Sequence, residues 1–179
     1  MQVRISYQQV DPEVLPTMFT FGKYLRKCGI EESLLDLVAM RASQINHCAY
    51  CIDMHFKDAI VSGETAQRLY SLDAWRETPF YTERERAALA WTEAVTLLTD
   101  GFVPDEVYEQ AREQFSESEL ISLTMAIISI NAWNRLNISF RSVPGDYQSK
   151  RRPKHINFDR ISGTDGKPIT TRPGCIPSA

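Results

Sequence analysis

Two helices meet in the segment Leu34-Leu35-Asp36-Leu37-Val38-Ala39-Met40-Arg41-Ala42-Ser43-Gln44-Ile45-Asn46-His47-Cys48-Ala49-Tyr50-Cys51-Ile52-Asp53-Met54-His55. Leu34, Val38, Ala42 and Ile45 recur at the spacing of one helix face, which predicts a helix from about Ser33 to Asn46. Another starts near Cys48 and stops at Gly63. On a helix, residues three or four apart are neighbours, so Cys48 adjoins Cys51 and Cys51 adjoins His55.

The same texture extends in both directions. Upstream, a helix is expected from about Glu13 to Cys28, with Gly29 just past its end. Downstream, a short one covers Thr65 to about Trp75. Thr82-Glu83-Arg84-Glu85 and Ser116-Glu117-Ser118-Glu119 are capping boxes: the hydroxyl accepts from the N3 amide while the Glu reaches back to the cap. The first opens a helix through Leu89, Ala90 and Ala94 to Leu98, the second one through Leu123, Ile127 and Ile130. Between them, Pro104-Asp105-Glu106 reads as a first turn with Pro at N1. No convincing alternating run suggests a sheet, so the expected fold class is all-α. Residues 1–143 form the expected helical domain. From Pro144 the prolines and glycines break any helix, and residues 144–179 are expected to be a tail. That tail carries Lys150, Arg151, Arg152 and Lys154, and it is expected to be solvated or to pack on a neighbouring subunit.

Composition sets the outer limits. The chain has 179 residues, 43% hydrophobic and 24% charged, which suits one ordinary globular domain with a real core. A net charge of −3 and a pI near 5.7 give no reason to expect nucleic acid or an anionic membrane as main partner. Met1-Gln2-Val3-Arg4-Ile5 lacks a signal-peptide apolar region, and the apolar stretch Leu120 to Ile130 is interrupted by Ser122, Thr124 and Ser129. A cytoplasmic location is the expectation. In that reducing compartment Cys28, Cys48, Cys51 and Cys175 are not a disulfide scaffold, and the close pair reads as redox or metal chemistry.

The chemistry follows from position. Cys48 lies at the start of its helix, where free amides and the macrodipole favour an anion and lower thiol pKa values into the range ~3.5–7.5. His55, one turn beyond Cys51, can take its proton or stabilise its thiolate. The two sulfurs can also close on each other if the first turn relaxes, because Cβ atoms at i and i+3 lie roughly 5–6 Å apart. Asp36 sits in an almost wholly apolar stretch, where a carboxylate needs a partner. His55, whose imidazole an acid can orient, is an attractive one. Blander readings stand beside these. Free cysteines are often core residues, and Asp36 can be an ordinary surface acid. Zinc would need four ligands; here there is one pair, His55, and His47 as a fourth, with no second pair. Met40 and Met54 read as packing residues, Cys28 as a core or helix-end thiol, and Cys175 as incidental.

The segment Leu34–His55 closely resembles the core of the alkylhydroperoxidase D-like proteins of the carboxymuconolactone decarboxylase superfamily. Trp75-Arg76-Glu77, Phe80 to Leu89 and Ile130-Asn131-Ala132-Trp133-Asn134-Arg135 resemble that family too. The resemblance implies an all-α fold and a homo-oligomer, often a trimer or hexamer. It implies that Cys51 is the peroxidatic thiol, that Cys48 resolves the sulfenic acid into a disulfide, and that His55 relays the proton. The family's upstream acid falls on Asp36, where Glu is more usual, and Tyr50 stands where the best-studied subgroup has a second His. The implied activity is a thiol peroxidase acting on hydrogen peroxide or small organic hydroperoxides, recharged by an external dithiol and requiring neither metal nor flavin. General thiol–disulfide exchange, a redox-sensing oligomer without catalysis, and lactone decarboxylation are the alternatives. The retained cysteine pair argues against decarboxylation, because the superfamily's decarboxylases generally lack it.

Overall fold

The computed structural model describes residues 2–151 and residue 153. Its helices are α1 (Tyr7–Val10), α2 (Val14–Leu25), α3 (Glu32–Ile45), α4 (Ala49–Val61) and α5 (Ala66–Tyr70). A 3-10 turn (Leu72–Glu77) leads on to α6 (Glu83–Thr96), α7 (Asp105–Gln114) and α8 (Glu117–Phe140). The described residues contain no strand, so the fold is all-α as expected. None of the described helices is long and apolar enough to cross a membrane.

Helix α3 is the axis of the bundle. Leu34, Asp36, Leu37, Val38, Met40, Ala42 and Ser43 are all buried, so it is covered on several sides, by α4, α6 and α8. Leu34 and Val38 enter a cluster with Ala88, Leu123 and Ile127. Leu37 and Met40 enter a second, with Ala59, Leu69, Leu72 and Leu89. A smaller third cluster holds Ala42, Cys48, Cys51 and Ile130, which puts both motif thiols in the interior.

Polar contacts lock the bundle. Both capping boxes form, with backbone amides of Thr82 and Ser116 donating to Glu85 and Glu119 at 2.8 Å each. Glu93 on α6 accepts from Arg41 of α3 (2.8 Å), the Trp75 indole (2.8 Å) and Arg76 (2.5 Å). Burial alone would raise its pKa; the indole and the two guanidinium groups reverse that and hold it below the ordinary value.

The element boundaries differ from the sequence reading in instructive places. The helix expected to reach Cys28 ends at Leu25, and Gly29 adopts φ +79° beyond a short turn. The segment from Thr65 splits at Ser71 into α5 and the 3-10 turn. Pro104 is the N-cap of α7 rather than its first residue. The helix from Ser116 continues past Ile130 to Phe140, and α1 carried no periodic signal in its four residues. Cys28 is a free thiol packed against the first cluster. Of the expected tail, residues up to Arg151 dock on α3 and α4 of their own chain. Arg152, Lys154 and Cys175 lie outside the described residues.

Leu37 has no exposed surface. Leu37→Ala is expected to cost about 2–5 kcal/mol in urea unfolding, against a change within about 0.5 kcal/mol for the exposed Tyr70→Ala.

Candidate active site

The site begins with the way α3 ends. Asn46 caps it, and His47 follows in the left-handed region at φ +56°. The His47 amide donates to the Gln44 carbonyl and the Cys48 amide to the Ser43 carbonyl, each at 3.0 Å. That pair of bonds is a Schellman ending, here closed by a non-glycine residue. The chain therefore reverses within two residues, and Cys48 becomes the N-cap of α4 at φ −85°, ψ 92°. Its sulfur accepts from the Cys51 amide at 3.4 Å.

Cys48 and Cys51 form a disulfide with a Cα–Cα separation of 5.3 Å. The bond closes without distorting the helix because Cys48 stands in extended backbone just outside it. Both residues are buried, at 1% and 0% exposure. Among the described residues, no group of three or more His, Cys, Asp or Glu is placed to hold a metal ion, and His47 is exposed on the turn.

His55 lies one turn past Cys51 on α4. Both ring nitrogens are shut off from solvent, and neither has a hydrogen-bond partner among the described residues. Burial pushes its pKa from 6.5 down to about 4, against the attraction of Asp58, so the imidazole is neutral at pH 7. A thiolate forming one turn away would pull that value back up.

Asp36 does not orient His55. Its two oxygens accept from the guanidinium of Arg151, at 2.5 and 2.8 Å. A buried carboxylate gains more from two parallel charged N–H donors than from one imidazole, and the fork of Arg151 supplies them. Burial raises the pKa of Asp36, and Arg151 lowers it in part. Arg151 also donates to Ser62 at 2.9 Å and lies 3.8 Å from Asp58. Around it, Tyr147 donates to Asp58 at 2.9 Å, and Lys57 and Asp53 grip the backbone of Gly145. Burial, then the bond to Asp58, pushes Tyr147 up to about 12. Residues 145–151 thus form a strap across α4, and the acid expected to serve the imidazole anchors it.

Three asparagines of α8 complete the surroundings. Asn46 donates to the side-chain oxygens of Asn131 and Asn134, each at 2.9 Å. Asn134 donates to Ser43 at 3.1 Å, and Asn137 donates to the sulfur of Cys51 at 3.5 Å. Sequence reasoning assigned these residues no role, nor any to Asp58, Tyr147 or Arg151. For the asparagines a signal existed, namely amides spaced by three along one helix. For Arg151 there was none, because its partners are distant in sequence.

Two outcomes follow. The unfolded imidazole binds a proton near pH 6.5 and the folded one only near 4, so the unfolded chain holds more protons across that window. Protonation of His55 takes nothing from stability above about pH 6.5 and lowers it by about 3 kcal/mol toward pH 4. In urea titrations at neutral and acid pH, His55→Leu should show a shallower loss than the parent. Arg151→Ala should cost about 2–4 kcal/mol by leaving buried Asp36 unpaired, and should speed proteolysis within residues 142–150.

Comparison with known proteins agrees with this architecture. Residues 12–94 match the Carboxymuconolactone decarboxylase family. YdfG of Bacillus subtilis (strain 168), itself uncharacterised, is 42% identical over 139 residues, 78% of this chain and 95% of that protein. A crystal structure of an Agrobacterium tumefaciens protein of unknown function, suggested to be the antioxidant defence protein AhpD, aligns with a TM-score of 0.79 and 38% identity. It covers 82% of this chain and all of its own. The debrominase Bmp8 shares the fold at a TM-score of 0.70 and 21% identity, over 78% of this chain and 75% of its own. The chain belongs to the carboxymuconolactone decarboxylase family, as an alkylhydroperoxidase D-like member.

Proposed function

We propose that this protein is a thiol-dependent peroxidase for hydrogen peroxide or small organic hydroperoxides. The observation that carries the reading is the buried Cys48–Cys51 disulfide at the start of α4, one turn from a neutral, unpartnered imidazole. In the reduced protein, His55 takes the proton of Cys51. The thiolate attacks the terminal peroxide oxygen, the O–O bond breaks, and the departing alkoxide or hydroxide receives that proton. Cys51 is left as a sulfenic acid. The sulfur of Cys48 then displaces its hydroxyl as water and the disulfide re-forms. An external dithiol restores both thiols, so each turnover converts one peroxide and two thiols into an alcohol or water, a further water and one disulfide.

Burial of both sulfurs favours a small oxidant over a bulky protein disulfide. Because the fold also serves a debrominase, the reaction is assigned from the thiols and not from the fold. A homo-oligomer, trimeric or hexameric, belongs to the same reading and is supported by exposed Ile121 and Ile128 on α8 and exposed Phe19 on α2. A reducing compartment such as the cytoplasm fits a pair that must cycle.

Reduced protein mixed with peroxide in a stopped-flow instrument should consume one equivalent and lose two free thiols, with the Cys48–Cys51 peptide identified by mass spectrometry. Cys51→Ser should abolish consumption; Cys48→Ser should permit a single oxidation to sulfenic acid and no turnover. Full peroxide turnover by Cys51→Ser would refute the assignment.

A further inference from the structure

Helix position favours different charge states at the two motif sulfurs, which are alike in burial. Cys48 is the N-cap of α4, facing the positive end of the helix, and its sulfur already accepts the Cys51 amide. On those grounds Cys48 is the better thiolate. Cys51 is inside the first turn, past the N-cap position, and burial opposes a charge at both sulfurs alike. An attack by Cys51 therefore needs an interaction that helix position alone does not supply.

Asn137 supplies it. Its side-chain amide is buried, and three of its four hydrogen-bonding positions are used, both donors among them. The carbonyl oxygen accepts from the hydroxyl of Tyr7 at 3.2 Å. The amide nitrogen donates to the Trp133 carbonyl one turn back at 3.0 Å and to the sulfur of Cys51 at 3.5 Å. A flipped amide would turn its oxygen onto the Trp133 carbonyl and the sulfur, both acceptors, so the neighbours fix the orientation. Tyr7 keeps its proton, since burial raises its pKa with a further contribution from Tyr50. A bond to a disulfide sulfur is weak, but the same donor facing a thiolate is charge-assisted and stronger.

We propose that Asn137 donates the hydrogen bond that makes Cys51, and not Cys48, the attacking thiolate, with Tyr7 as the positioning residue that holds the amide in place. Chain segments around residues 7, 51 and 137 thus converge on one sulfur. The other titratable groups facing it are Cys48 and His55 on its own helix and Tyr50 beside it, with Asp58 and Arg151 acting on the imidazole. The inference rests on Cys51 being the attacker, but its test is made on the thiols without peroxide. Failure as a peroxidase and failure of this assignment are therefore separate results.

The test uses the full-length chain with Cys28→Ser and Cys175→Ser, carrying either Cys48 or Cys51 as its single thiol. Thiolate formation is followed by ultraviolet absorbance against pH. Cys51 is expected to titrate below Cys48. Asn137→Leu should raise the Cys51 midpoint by about one to two pH units. Asn137→Asp, close in shape, should raise it further and reverse the order of the two thiols. Tyr7→Phe should raise it by less, because the donor remains but its orientation is no longer held. A structural role alone would lower unfolding stability and leave the midpoints in place. Should Asn137→Leu fail to fold, Asn137→Asp and Tyr7→Phe decide the matter. A Cys51 midpoint unmoved in folded Asn137→Asp, or a Cys48 midpoint below that of Cys51 in the parent, would overturn the proposal.

Discussion

Two residues, Asn46 and His47, have to reverse the chain between helices α3 and α4, and most of the site is a consequence of how they do it. The Schellman bonds to Gln44 and Ser43 end α3, and the left-handed turn at His47 leaves Cys48 in extended backbone. Had Cys48 been helical instead, its Cβ would lie roughly 5–6 Å from that of Cys51, wider than the ~3.8 Å that a disulfide prefers. The turn is secured from outside by α8, whose Asn131 and Asn134 hold the side chain of Asn46. The placement of the two cysteines is thus set by the junction of two helices and held by a third.

Much of this could be read from the residues, and the limits have physical causes. Helix periods in α3 and the capping boxes of α6 and α8 are local patterns, so they appear in sequence as they do in the fold. The spacing of Cys48, Cys51 and His55 is likewise local, and their places on α4 follow from it. The partner of Asp36 is not local. The apolar surroundings of that acid announced that it needs a counter-group, but not whether His55 or a cation about a hundred residues away would provide it. Arg151 lies in a stretch rich in helix breakers, which reads as loose chain; its order comes from contacts with Asp36, Asp58 and Ser62 that no short window contains. The four-residue α1 was invisible for a related reason, being held by tertiary contacts and not by its own propensity.

The polar interior of this bundle is concentrated where chemistry is expected. Away from the motif, the core is mainly aliphatic and aromatic, with buried Thr92, Ser122 and Ser129 among it. Next to it lie three asparagines, a serine, a buried acid pair and an imidazole with no partner. Buried polar groups are normally paired, and an orphaned imidazole costs stability. On the proposed function, that cost keeps the imidazole available for a proton that arrives only during turnover.

Tyr7 gives the amino-terminal segment a stake in the thiols. Arg4 bonds to the Ser139 and Phe140 carbonyls near the end of α8, the Tyr7 ring stacks on Phe140, and its hydroxyl touches the amide that meets Cys51. An affinity tag joined ahead of this segment therefore sits only a few residues from Tyr7, the first of the side chains whose hydrogen bonds lead to Cys51. For preparative work the choice of fusion end becomes a chemical variable, since a bulky leader that pulled the segment off α8 would also take Tyr7 from the Asn137 amide that meets the Cys51 sulfur.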